Sequence, residues 1–156
     1  MAKRNKKMGQ SKDAIAMLKA DHQKVRKLFK EYDAARDRET RRSVATLVFV
    51  ELETHAQLEE NVFYMAVNEE TDAGPELVKE SLEEHQTMKH LIQELRDMGP
   101  DTKAFDTKFH ELRRNVEHHV EEEEAEMFPL AEEKLEEDMK DLKNEMQELK
   151  EQILAS

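Results

Sequence analysis

Apolar residues recur at spacings of three and four along most of this chain, the period of a single helix face. Ile15, Leu18, Val25, Phe29 and Tyr32 mark a first helix over residues 13–35. Val44, Val48, Leu52, Val62 and Ala66 mark a second over 39–69, and Val78, Leu82, Met88, Ile92 and Leu95 a third over 75–98. Phe105, Phe109, Leu112, Val116, Met127 and Leu130 mark a fourth, ending near residue 130. Breakers and caps fall between these runs. Asp37 suits an N-cap, Pro75 suits a first helical turn, Gly99-Pro100 ends the third helix, and Asp101 or Thr102 suits the cap of the fourth. Pro129 is expected to kink or interrupt the last run. Four helices on short connections read as an all-α, up-down-up-down four-helix bundle over residues 13–130.

The ends differ from this pattern. Leu135, Met139, Leu142, Met146, Leu149 and Ile153 alternate steps of four and three, a heptad seam. Residues 131–156 therefore predict an extra amphipathic C-terminal helix. It either packs on the bundle of its own chain or joins two copies, so the expectation is a monomer or a homodimer through that helix. Residues 1–12 are basic with no apolar stripe, which predicts a flexible tail rather than a secretory signal.

Composition narrows the chemistry. Charged residues make up 40% of the chain and glycine and proline number three each, which favours long helices over sheets. With no cysteine, disulfides, thiol catalysis and thiolate metal sites are excluded, and a cytoplasmic location is compatible. The longest apolar run, residues 44–50, is too short to span a membrane. A net charge of −12 argues against nucleic acid as a partner.

Histidine and glutamate interrupt the apolar stripes where leucine belongs. His22 falls in the gap of the first stripe and His85 in the third. The second and fourth carry matched pairs, His55 with Glu59 and His119 with Glu123, each one turn apart on one face. Helices 1–2 and 3–4 thus read as a duplicated hairpin. At about 1.5 Å per residue, His22, Glu59, His85 and His119 all lie roughly 13–15 Å from the same end of the bundle. His55 and Glu123 lie one turn to either side. Burying ionised carboxylates costs several kcal/mol each unless they are paired or coordinated. Two carboxylates with four imidazoles suit a pair of first-row metal ions. The Glu-x-x-His pattern of the common di-iron carboxylate bundles is absent, and a single structural zinc needs only four ligands.

These residues resemble the hemerythrin-like, or HHE cation-binding, domain family. The resemblance rests on Asp21-His22, His55-Ala-Gln-Leu-Glu59-Glu60 leading into Phe63-Tyr64, Glu84-His85, and His119-Val-Glu-Glu-Glu123-Glu124 leading into Phe128-Pro129. It implies a four-helix bundle with two iron ions in a non-haem, oxo- or hydroxo-bridged site. By the same resemblance His22 and His55 serve one iron, His85 and His119 the other, and Glu59 and Glu123 bridge them. The donor types also suit manganese or zinc. Oxygen-carrying members have a second third-helix histidine where this chain has Lys89, and an Asp five residues after the fourth-helix histidine where this chain has Glu123 at four. The iron held by His85 and His119 is therefore expected to keep an open or water-filled position. That turns the expectation from reversible carriage toward handling oxygen or peroxide, including catalase-like peroxide decomposition. The alternative is a non-enzymatic module that binds or senses iron, oxygen or nitric oxide.

Neighbours of the layer carry lesser expectations. Glu51 reads as a solvated or salt-bridged acid, with support of His55 the alternative. Tyr64 resembles an aromatic that some members carry here; an ideal helix turns it away from His55, so a direct metal role is the lesser reading, and Tyr64 and Lys89 stand with Glu51 as candidate supports of the ligands. Asp21 points to the side, Glu60 and Glu124 read as flanking surface acids, and His90, His110 and His118 as surface residues. Met17, Met88 and Met127 read as core filler.

Overall fold

The computed structural model describes residues 13–99 and 102–156, so the basic start, Pro100 and the candidate cap Asp101 lie outside the described residues. Helix α1 spans Ala14–Ala34. Helix α2, Arg38–Leu58, runs through a π-helical turn, Glu59–Phe63, into α3, Tyr64–Glu70. Helix α4 spans Gly74–Arg96. Helix α5, Lys103–Glu122, runs through a second π turn, Glu123–Met127, into α6, Phe128–Lys134. A short 3₁₀ turn, Glu136–Asp138, leads to α7, Met139–Ala155. No strand occurs among the described residues.

The sequence signals act locally as expected. The Asp13 and Asp37 carboxylates accept the N–H groups of Ala16 and Thr40, and the Thr102 hydroxyl accepts that of Phe105. Each satisfies an N–H that the first helical turn leaves without a partner. Pro75 sits in the first turn of α4, where its missing N–H costs nothing. The helix continues through Pro129, which follows directly on the second π turn. A π turn already replaces the ordinary bond ladder at this point, so the proline is absorbed without ending the helix.

The apolar stripes bury into two clusters. One, near the α1–α2 loop, centres on Phe109, whose ring lies 4.0 Å from that of Tyr32 and 5.5 Å from that of Phe29. The other gathers Leu18, Leu58, Phe63, Val67 and Phe128 at the opposite end. Helix α7 closes this second cluster. It packs along α1 and α2 and buries Met139, Leu142 and Met146 of the heptad seam on its own chain. Between the two clusters runs a polar layer, held at one depth by all four long helices.

Candidate metal centre

The layer consists of His22, His55, Glu59, His85, His119 and Glu123, all buried, with Glu59 at 0% and Glu123 at 2% exposure. Every imidazole turns its Nε2 inward. His22 Nε2 lies 3.1 Å from Glu123 Oε1, and His55 Nε2 lies 3.1 Å from Glu59 Oε2. Across the layer, His85 Nε2 lies 3.1 Å from Glu59 Oε1, and His119 Nε2 lies 3.4 Å from Glu123 Oε2. Each carboxylate therefore spans from one histidine pair to the other. The donors fall into two sets that share Glu59, one of His22, His55, Glu59 and Glu123, the other of Glu59, His85 and His119. Within each set the donor atoms lie within 4.8 Å of one another.

A second ring of carboxylates holds the outer nitrogens. Asp21 Oδ2 is 2.9 Å from His55 Nδ1, and Glu84 Oε1 is 2.6 Å from His119 Nδ1. Glu60 Oε2 is 2.7 Å from His85 Nδ1, and Glu124 Oε2 is 2.7 Å from His22 Nδ1. The arrangement repeats with the duplication. The acid before the histidine of α1 or α4 serves the histidine of the next helix, while the acid after Glu59 or Glu123 serves the histidine of α4 or α1. An Nδ1–H donated to a carboxylate fixes the ring orientation and leaves Nε2 as the inward donor.

Three sequence expectations are corrected here. Asp21, Glu60 and Glu124 are not sideways or surface acids. A residue beside a stripe position sits about 100° round the helix, which in a four-helix bundle faces the neighbouring helix rather than solvent. Tyr64, which an ideal helix turns away, lies beside the ligands. Its hydroxyl donates to Glu59 Oε1 at 2.9 Å and to Glu123, and lies 3.4 Å from His85 Nε2 and 3.3 Å from His119 Nε2. The cause is the π turn. In it the Tyr64 N–H bonds to the Glu59 carbonyl five residues back, which brings residue i+5 under residue i instead of about 140° away. The second π turn does the same for Phe128, whose ring stacks on His22 at 5.7 Å. Tyr64 and Phe128 are thus duplicated positions, and only one carries a hydroxyl. The phenol occupies the His85–His119 side, where an open position was expected.

The remaining neighbours sort simply. Glu84 went unassigned in the sequence, although the Glu-His pair it forms with His85 repeats Asp21-His22 and was the available signal. Glu51 pairs with Lys24 at 2.7 Å and does not support His55. Lys89 turns away from the layer to Glu60 Oε1 at 3.0 Å, so it acts on His85 only through that carboxylate. His90 and His118 are exposed. Met88 is buried in a small cavity on the histidine side of the layer, walled also by Val25, Leu52, Val116 and Val120.

The electrostatics call for a cation. Burial opposes protonation of His55, but Glu59 and Asp21 outweigh it and hold its pKa up at about 10. Burial likewise opposes protonation of His119 and His85; Glu123, Glu59 and Glu84 raise His119 well above its ordinary value, and Glu59 and Glu60 raise His85. Burial pushes the Glu59 carboxyl up, yet the surrounding imidazoles bring it well below the usual range. Without a metal, protons supply the positive charge the carboxylates require.

A DNA nickase of Nostoc sp. (strain PCC 7120) is 28% identical over 112 residues, covering 72% of this chain. The match takes in 31% of that relative, so the chain spans about a third of its length. In fold, the chain is similar to the crystal structure of a hemerythrin HHE cation binding domain-containing protein from Mycobacterium kansasii. The TM-score is 0.79 at 22% identity, covering 90% of this chain and 86% of the other. The hemerythrin HHE cation binding domain matches residues 13–131, which hold every donor of the buried layer, and the chain belongs to that family.

Proposed function

We propose that His22, His55, Glu59, His85, His119 and Glu123 hold two iron ions and that the protein handles oxygen or hydrogen peroxide. One observation carries the reading. His22 Nε2, His55 Nε2, Glu59 Oε2 and Glu123 Oε1 are all buried and face one another in pairs 3.1 Å apart, without a well-aligned hydrogen bond to satisfy any of them. Orphaned buried donors on this scale are costly unless something binds them. Nitrogen and oxygen donors of this kind fit iron, and fit manganese or zinc by type. A bound iron pair supplies redox chemistry toward oxygen or peroxide.

The chain's own groups shape that chemistry. Asp21, Glu60, Glu84 and Glu124 orient the imidazoles and raise their basicity. Phe63 and Phe128 exclude water from the carboxylate side. The apolar cavity beside Met88 suits a small uncharged molecule on the histidine side. Tyr64 places one phenol among the donors of the His85–His119 half, making the two halves unlike. An asymmetric site favours reaction at one ion over plain reversible binding, and catalase-like decomposition of peroxide is the reaction we assign. The test is oxygen evolution from hydrogen peroxide by the iron-loaded chain, abolished in His119→Ala. A chain with two irons that leaves peroxide unconsumed refutes it.

One contact favours a second reading, a non-enzymatic module sensing iron, oxygen or nitric oxide. Lys150 Nζ of α7 lies 3.8 Å from Asp21 Oδ1, and the other Asp21 oxygen holds His55. The C-terminal helix therefore touches the layer through one carboxylate. Hydrogen exchange in α7 that does not change with metal or redox state removes this reading. We assign no nucleic-acid substrate, because a net charge of −12 opposes a polyanion. Among the described residues no helix is long and apolar enough to cross a membrane. The cysteine-free chain suits a reducing cytoplasm.

A further inference from the structure

We infer that Met88 is an oxidation site: hydrogen peroxide held in the cavity beside the layer transfers an oxygen atom to its thioether, and the sulfoxide closes that cavity. The inference rests on the reading of the layer as a centre that handles peroxide. Four residues stand three positions from the four histidines, one on each long helix. Val25 follows His22 and Met88 follows His85, while Leu52 precedes His55 and Val116 precedes His119. Three residues make about one helical turn, so the four form an apolar ring next to the imidazoles, on the side of the α1–α2 loop. Each is 4–5% exposed. With Val120 and the imidazoles they line a cavity of about 20 Å³, room for a molecule little larger than water.

Of the apolar walls, only Met88 carries a nucleophile. Its counterpart in the duplication is Val25, which is inert to peroxide. A thioether takes oxygen from hydrogen peroxide without a further reactant. A sulfur lone pair attacks one peroxide oxygen, the S–O bond forms as the O–O bond breaks, and the second oxygen leaves as water with both protons. Sulfur loses two electrons and the peroxide gains them. Burial ordinarily protects a methionine from this reaction, and Met139 and Met146 are about as buried as Met88, at 6% and 0% against 5%. Those two pack in the apolar cluster closed by α7, away from the layer. Met88 differs because the cavity holds the oxidant against it, and enforced proximity replaces chance encounter. The product is a polar sulfoxide. Val25, Leu52, Val116 and Val120 have no side-chain group to hydrogen-bond it, and its added oxygen takes space that a ligand needs. Oxidation therefore limits the working life of the site under peroxide.

The test supplies hydrogen peroxide steadily to the full iron-loaded chain. Peptide mass spectrometry follows sulfoxide at each methionine, and oxygen evolution is recorded alongside. Met65, 54% exposed, marks the rate at which free peroxide attacks an open thioether. We expect sulfoxide at Met88 to form about tenfold faster than at Met139 or Met146, a small part of what held reactants can gain. Equal or slower oxidation of Met88 overturns the inference, since the cavity then confers nothing. Met88→Leu, an apolar side chain of similar volume, tests the consequence. Oxygen evolution in wild type should fall in step with the Met88 sulfoxide, and fall more slowly in the variant; the same decline in both overturns closure of the cavity. The two readings fail separately. A chain that evolves no oxygen yet oxidises Met88 selectively refutes the catalase-like reading and sustains the oxidation site. A chain that evolves oxygen while Met88 lags with Met139 does the reverse.

Discussion

Asp21→Asn gives the sharpest check on the outer ring of carboxylates. The substitution keeps the shape of a buried side chain and removes its charge, and Asp21 Oδ2 sits 2.9 Å from His55 Nδ1. Asparagine can still accept one hydrogen bond, so the imidazole keeps its orientation but loses the anion that strengthens it as a donor. Replacing such a partner typically lowers metal affinity by about 10–100-fold, which corresponds to about 1.4–2.7 kcal/mol. The effect belongs to the His22–His55 half, because His85 and His119 lean on Glu60 and Glu84. Anaerobic Co²⁺ titration against a competing chelator therefore resolves one weakened and one unchanged equivalent. In the metal-free chain the same variant lowers the His55 pKa from about 10, since Asp21 is one of the groups that raise it, and imidazole NMR reads that shift. Glu51→Gln is the control. Glu51 pairs with Lys24 instead, and its loss changes affinity by less than about 0.5 kcal/mol. Unaltered affinity in Asp21→Asn, or an equal loss in both variants, refutes the argument.

Four further outcomes follow from the structure. Metal uptake at pH 7 releases protons, because His55 and His119 are held protonated in the metal-free chain; an indicator dye in weak buffer that registers no acidification contradicts this. Correspondingly, the metal-free chain is most stable between about pH 4.5 and 6.5. The contribution of His55 is complete below its ordinary 6.5 and fades as pH climbs toward about 10. That of Glu59 is present above 4.5 and fades as pH falls through its lowered pKa, and urea midpoints across pH measure both. Tyr64→Phe removes the hydroxyl that donates to Glu59 and Glu123 and should cost about 1.5–3 kcal/mol in the metal-free chain, an effect that an unshifted urea midpoint would exclude. Gly74→Ala forces a methyl group against the Val67 carbonyl and the Thr71 hydroxyl where α3 meets α4, so it should cost about 1–3 kcal/mol in thermal unfolding.

Much of this protein was legible from residue order alone. The three-and-four spacing of the stripes sets four helices, and short connections make antiparallel neighbours of them. Once the helices lie side by side, rise per residue brings His22, His55, Glu59, His85, His119 and Glu123 to one depth, because depth depends only on counting along straight helices. Caps such as Asp37 and Thr102 are local, since the bond they make spans three residues. The heptad seam, equally plain, did not say what it packs against; that Met139, Leu142 and Met146 bury on their own bundle depends on the surface α1 and α2 offer.

What only the tertiary structure decided lies beside the stripes. Asp21, Glu60, Glu84 and Glu124 stand one position off an inward face, where a single helix looks solvent-facing and only the neighbouring helix turns them into partners of an imidazole. Tyr64 depended on backbone geometry. Five residues after Glu59 an α-helix carries it away from the site, and a π turn brings it back. Such a turn costs regular hydrogen bonding and is stabilised by contacts at a distance, here burial of Phe63 and the hydroxyl bonds of Tyr64. Periodicity assumes an even helix, so it finds the ligands that obey the helix and misses the group that the distortion delivers.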